Sequence, residues 1–342
     1  MRRREFISCG TAAAVWPLGA LARQRREFFF VLSSAVVAGS RGVWAQQAKI
    51  PKIGILVLSN LNPELFLATL REALRERGYV EGHNVFLEIR SGGSESSLAD
   101  QAAELARLKV DVIVGWTTPP AKAAKQATNE IPIVMVAAGD PVGAGLVGSI
   151  AKPGGNVTGV SSAAAEVAGK GLQIIREILP SAHRVAVLAN PADPFSKPFV
   201  RQISIGAGTL GIELQTTMVR SVADLDPAFM EMSAKAVEAI IVQPSLLQKR
   251  IIDLALHQRL ATISITRQLP EAGGLVSYAG NSIQMYRESA IYIDKILKGS
   301  KPADLPVQEP TRFELIINLK TAKLLGITVP STLLARADEV IE

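Results

Sequence analysis

Short runs rich in Val, Ile and Leu return along the chain: KIGILVL, VDVIVGW, IPIVMVAA, RVAVLAN, VEAIIVQ and ATISIT. Between them lie longer stretches in which apolar residues recur every three to four positions. Uninterrupted apolar strands are expected where helices cover both faces of a sheet, so the alternation predicts a parallel α/β fold. The first helical stretch, NPELFLATLREALRERG, shows how the ends are marked. Asn62 is expected to cap it, Pro63 to take its first position, and Gly78 to stop it. Leu65, Leu70, Ala73 and Leu74 predict its buried face, and Arg71, Glu72, Arg75 and Glu76 its wet one.

The pattern begins only near Lys49. Ahead of it, RRREF and QRREF each lead into an apolar run that ends in small residues. A basic start, an apolar middle and an Ala-x-Ala-like end make an export signal, and paired arginines before Phe match the twin-arginine type. Cleavage is expected after Ala45 rather than after Ala22, because structured sequence starts just beyond it. A start codon hidden at Leu21 would remove the upstream copy. Neither apolar run reaches the roughly 18 to 20 residues of a spanning helix.

Removing residues 1–45 changes the charge picture. They hold seven Arg and two Glu, so 37 basic and 31 acidic residues fall to 30 and 29, and the net +6 falls to about +1. The basic character belongs mainly to the leader, and no nucleic-acid partner is implied. The sole cysteine, Cys9, leaves with it, taking any disulfide or thiol nucleophile. What remains is too long for one ordinary core and suits two lobes. The α/β series pauses at NVTGVSS (156–162), GGLVSYAGNS (273–282) and KPADLPVQEPTRF (301–313). Three pauses predict three crossings between lobes at a hinge, with residues 49–160 and 280–308 in one lobe and 161–279 and 309–342 in the other.

Catalytic motifs are sparse. GAGLVG (143–148) fits the dinucleotide spacing G-x-G-x-x-G, but Pro153 interrupts the helix such a turn must open, and Glu166 does not end a second strand. AGKG (168–171) is not a phosphate loop, and His83, His183 and His257 lack metal-ligand spacing. No cofactor or metal is expected.

Several longer blocks, ERGYVEGHNV, IPIVMVAAGDPVGAGLV, KPGGNVTGVS, ILKGSKPADLPVQEPTRFELIINLKTAKLLGITVP and LLARADEVIE, together with the leader, resemble the ABC transporter substrate-binding proteins of the tryptophan and tyrosine type. The resemblance spans nearly the whole chain after the leader. It implies a type I periplasmic binding fold: two doubly wound parallel-sheet lobes, a three-crossing hinge, and a small-molecule ligand held between them. It also implies a periplasmic, non-enzymatic protein, expected to be monomeric, that serves an ABC permease and its cytoplasmic ATPase. A ligand-sensing subunit for a membrane receptor would share this fold, and an NAD(P)-dependent oxidoreductase is the enzymatic alternative.

Ligands of open parallel sheets bind beyond the carboxyl ends of the strands. The loops there name the expected cleft residues: Ser59 and Asn60; Trp116, Thr117 and Thr118; Gly139 and Asp140; Asn190; Gln243 and Ser245; Thr266 and Arg267; and Tyr278 in the second irregular stretch. The helix start after Thr117 and Thr118 suits a carboxylate, although Thr118 would equally cap its own helix. Asp140 is read either as an acceptor for a ligand ammonium or as a turn former before Pro141. Trp116 either stacks on ligand or turns inward. Leu246, Leu247, Thr266 and Arg267 depart from the aromatic and acidic residues usual at those places, which points to a different ligand. Arg267, if it faces inward, would pair with a carboxylate.

Overall fold

The computed structural model describes residues 49–342 apart from positions 60 and 93. The arginine-led segments, with Ala22, Ala45, Cys9, Trp16 and Trp44, and the cleft candidate Asn60 lie outside the described residues.

Two sheets organise residues 50–342. The first is wound by β1 (Lys52–Leu58), α1 (Glu64–Arg75), β2 (Phe86–Gly92), α2 (Glu95–Arg107), β3 (Val112–Trp116), α3 (Thr118–Ala127), β4 (Ile133–Ala138) and β5 (Val157–Ser161). Its strands are all parallel, in the order β2-β1-β3-β4-β5. The second contains α4 (Ala164–Ile178), β6 (Arg184–Ala189), α5 (Ser196–Leu210), β7 (Glu213–Met218), α6 (Leu225–Ala234), β8 (Ala239–Val242), α7 (Lys249–His257), β9 (Ala261–Ser264), α8 (Gln268–Glu271) and β10 (Val276–Gly280). The chain then sends α9 (Ser282–Leu297) back onto α1, β4 and β5 of the first lobe. It finishes in the second with β11 (Phe313–Asn318), α10 (Leu319–Leu325), α11 (Ser331–Leu334) and β12 (Glu339–Ile341). That sheet runs β12-β11-β10-β9-β8-β6-β7, with only β10 and β11 antiparallel. Its β7-β6-β8-β9-β10 part repeats the winding of the first sheet.

The passages between lobes lie side by side. Val160 of β5 bridges Gln308, the Ser161 N–H donates to the Gln308 carbonyl at 2.8 Å, and Gly280 pairs with Phe313. Here NVTGVSS is not a pause but β5, buried at every position. Two residues mask it in the sequence. Thr158 is wholly buried and donates its hydroxyl to the Leu305 carbonyl at 2.6 Å. Gly159 has φ +131°, and a Cβ there would lie 2.2 Å from the Met135 carbonyl oxygen.

The central strands β1, β3, β4, β6, β8 and β9 are almost entirely covered, as their apolar runs require. In α1 the buried face is Phe66, Thr69, Leu70, Ala73 and Leu74, whereas Leu65 is exposed. The stripe is therefore set by Phe66, one residue on, whose full burial is worth about 1.5–3 kcal/mol. Asn62 accepts the Glu64 N–H at 2.9 Å, and the left-handed Gly78 follows the helix end. Among the described residues no helix is long and apolar enough to cross a membrane.

Candidate functional site

Between the sheets' carboxyl ends lies a chamber walled by both lobes. Its empty space is about 640 Å³, open mouth included.

The first lobe supplies an aromatic wall. Trp116 ends β3, is 2 % exposed, stacks on Phe66 at 5.2 Å and meets Tyr286 of α9 edge-on at 6.3 Å. Tyr286 is hydrogen-bonded to Trp116 and Ser282, and burial pushes its phenol up to about 12. The indole is thus both a core residue and a wall residue. Next to it, α3 comes very close to β3: a Cβ at Gly115 would lie 2.6 Å from the backbone of Ala121, so the approach needs glycine.

The turn into α3 is strained. Thr117 has φ 77° and ψ 174°, and its buried hydroxyl has no hydrogen-bond partner. Such backbone costs on the order of 1–3 kcal/mol, and it recurs nearby: Ala137 (φ 55°), at the bulge in β4, also lines the chamber, and Ala163 (φ 49°) adjoins it. Thr118 does not cap its own helix. Its hydroxyl accepts the Gly139 N–H at 2.9 Å and ties the end of β4 to α3. Pro119 and Pro120 follow, so two of the first three helical residues have no N–H to offer. The anion-binding helix start expected from the sequence is reduced to the Thr118 amide and the Thr117 hydroxyl.

The second lobe supplies a polar wall. After β6, Asp193 is 6 % exposed and faces the chamber. Its carboxylate accepts the Phe195 N–H at 2.9 Å, the Gln243 side-chain amide at 2.7 Å, and a hydrogen bond from Ser245. Gln243, fully buried, also accepts the Asn190 N–H at 2.8 Å, which locks the loops after β6 and β8 together. Burial pushes the Asp193 carboxyl above its usual range, and the three hydrogen bonds only partly oppose this. Phe195, from the same loop, crosses to the first lobe. A Cβ on Gly139 would meet its ring at 2.6 Å. Gln268 likewise donates to the Asn62 carbonyl at 3.2 Å, and Leu247, Ile252 and Leu269 join the first lobe's core. An outer chamber adjoins the first, sharing Pro119, Asp193 and Ser245 and adding Asn190, Lys122 and Gln126.

Of the residues expected in the cleft, Trp116, Thr117, Thr118, Gly139, Ser245 and Thr266 line the inner chamber. Asn190 lines the outer one, with its side-chain oxygen accepting the Ala192 N–H. Gln243 stands one layer behind Asp193. Ser59 is exposed and lines neither chamber. The Asp140 carboxylate turns onto the Gly143 N–H at 2.8 Å and closes a local turn. Arg267 faces away from the chamber, bound to Glu271 at 2.7 Å and Glu339 at 2.9 Å, with Glu314 at 3.8 Å. Tyr278 stacks on Phe313 at 5.9 Å in a separate surface groove, with Lys170 beside both rings. Sequence reasoning missed Ser162, Asp193, Phe195, Gln268, Ser282 and Tyr286. The loop NPADPF, directly after a strand, carried the signal for two of them. Ser282 and Tyr286 arrive on α9, which only the return of the chain to the first lobe brings near.

Comparison with known proteins places this architecture. A model of the family described as "ABC transporter substrate binding protein" matches residues 61–341. A tyrosine-binding protein of Clostridioides difficile is 27% identical over 261 residues, 75% of each chain. Among solved structures, an ABC domain from Streptococcus pneumonia in complex with L-Trp is 29% identical, with TM-score 0.78 over 85% of this chain and 99% of that one. The ligand-free, open structure of a substrate-binding protein with adhesive properties from Clostridium difficile is 25% identical, covers the same shares, and has TM-score 0.61. At similar identity, the lobes here match the ligand-bound arrangement better than the open one, in keeping with the Phe195–Gly139 contact. The fold is that of the type I periplasmic binding proteins, and the chain belongs to the ABC transporter substrate-binding protein family.

Proposed function

We propose that this protein is the extracytoplasmic substrate-binding component of an ABC importer, which captures an amino acid or related carboxylic acid between its lobes and delivers it to a membrane permease driven by an ATPase. The observation that carries the reading is a chamber whose walls come from both lobes and combine an indole, a phenol and several hydroxyls with one carboxylate. A ligand that touches both walls stabilises the closed arrangement over the open one. The relatives named for tyrosine and solved with L-Trp support an amino-acid ligand. The arginine-led leader supports export to the periplasm, with cleavage after Ala45.

A melting screen of amino acids, carboxylic acids and nicotinamide dinucleotides tests the ligand class. A true ligand at 100 times its dissociation constant adds about 2.7 kcal/mol, so one amino- or carboxylic-acid class should raise the transition by several degrees. A response confined to dinucleotides overturns the reading. Export is tested by changing Arg25 and Arg26 to Lys, which should leave the precursor in the cytoplasm, while the same change at Arg3 and Arg4 has little effect.

A further inference from the structure

The charges around the inner chamber are one-sided. Among the described residues, its lining holds one ionisable acid, Asp193, and no Lys, Arg or His. Tyr286 is the other titratable group, and it stays neutral. No ion pair to Asp193 occurs among the described residues. Its partners are a backbone N–H, an amide and a hydroxyl, all neutral. A carboxylate removed from water without a cation is costly, and natural structures ordinarily place a cation or a metal beside one. Asp193 nonetheless lines the chamber that the ligand enters.

The opposite wall has nothing comparable for an anion. Pro119 and Pro120 remove two helix-start donors, and Arg267, the cation that the sequence placed closest, is held outside by carboxylates. Lys122 reaches only the outer chamber, and its ammonium donates to the Ala144 carbonyl at 3.1 Å.

We propose that the chamber selects ligands bearing a protonated amine, which seats on Asp193, and that it has no ionic partner for a ligand carboxylate. The inference rests on the binding-protein reading above and narrows its ligand class. The amine supplies the cation that the buried acid lacks. A carboxylate on the same molecule meets no cationic side chain among the described lining residues, only neutral donors such as hydroxyls and the Gln268 amide, so it adds less than the amine does. The site therefore extends to amines without a carboxylate, and it discriminates against acids without an amine.

The test is calorimetric titration of the full chain with matched triplets. L-alanine, L-leucine, L-phenylalanine, L-tyrosine and L-tryptophan are each set beside the decarboxylated amine and the deaminated acid of the same skeleton. Within any skeleton that binds, the amine should keep affinity within about tenfold of the amino acid, and the deaminated acid should bind at least tenfold more weakly. Asp193→Asn should weaken amine-bearing molecules at least tenfold and abolish the preference over the deaminated acid. Its melting curve reports whether the variant folds, and the wild-type triplets decide the question without it. A deaminated acid that binds as tightly as its amino acid overturns the amine preference and leaves the importer reading standing. Amines that bind where amino acids do not uphold the preference and overturn the amino-acid reading. Failure of every amine-bearing molecule to bind overturns the inference.

Discussion

The two walls of the cleft solve different problems. The first lobe's wall is an extension of its core: Trp116, Phe66 and Tyr286 are packed ring on ring, and the chamber touches surfaces that the fold already holds in place. The second lobe's wall is a polar network, with Asp193 held by Gln243 and Ser245 and left without a cationic partner among the described residues. One wall is shaped by stability and the other is left electrostatically incomplete. The difference teaches that, under the proposed mode of binding, shape recognition and charge recognition fall on opposite sides of the hinge, so a ligand that satisfies both engages both lobes.

The hardest blow to this comparison falls on the packed wall. Trp116→Ala should destabilise the protein by about 3–5 kcal/mol, as truncation of a buried aromatic does, and chemical denaturation will measure it. In protein without residues 1–45, where Trp116 is the only tryptophan, the milder Trp116→Phe should keep the fold and remove any ligand-dependent change in indole emission. A small loss for Trp116→Ala would mean that the first wall is not core at all.

The contact between walls comes next. Gly139→Val places side-chain atoms where the Phe195 ring lies, and overpacking of about 1–3 kcal/mol in the closed form alone weakens ligand roughly 5- to 150-fold. Unchanged stability of the ligand-free protein with weakened titration would locate the clash in closure.

The charged wall is read by pH. The folded-state pKa of Asp193 is raised by burial, so its contribution to stability is fully present below the unfolded aspartate pKa, near 3.9, and is lost as pH rises through the folded value. The stability difference between wild type and Asp193→Asn should therefore shift against wild type as pH climbs through that window. Amine binding should strengthen over the same window, because the ionised acid is the form that receives it. Tyr286, up at about 12, does not titrate there. A flat difference would remove Asp193 from the electrostatic account.

Smaller effects follow. Thr117→Gly relieves a positive φ at the cost of a more flexible unfolded chain, and a net gain of about 1 kcal/mol is expected from denaturation curves. Arg267→Gln should change stability by no more than about 1 kcal/mol, since its partners Glu271 and Glu339 are partly exposed, and should leave ligand titration unaltered. A large binding loss there would return Arg267 to the cleft.

These contrasts explain what the sequence could carry. The winding was legible because strands buried on both faces are apolar throughout, and β1, β3 and β4 are such strands. β5 was not, because a satisfied buried Thr158 and a sterically required Gly159 broke its run. The cleft shows the same limit more sharply. Asp140 and Asp193 are both aspartates after a strand and before a proline, so local pattern treats them alike. The first closes a turn on Gly143, three residues away, and the second is buried by Gln243, fifty residues away. Only the long-range partner separates a turn former from a chamber acid. The missing N–H groups of Pro119 and Pro120 stand in the sequence as well, yet the helix start reads there as suited to a carboxylate, because in that pattern the prolines count as helix openers and not as lost donors.

The Phe195 ring resting on bare backbone at Gly139 has a consequence for how such a receptor changes its diet. The ring acts as a shim. Its thickness spaces the loop after β6 from the Gly139 backbone, and a side chain at 139 has to push the two apart. A lineage that needed room for a bulkier molecule could leave the aromatic and charged lining groups untouched and add a methyl or two at position 139. A lineage that needed a smaller chamber could thin the shim itself. The spacing of the two walls is thus concentrated at one point of contact, apart from Asp193 and the Trp116–Phe66–Tyr286 stack.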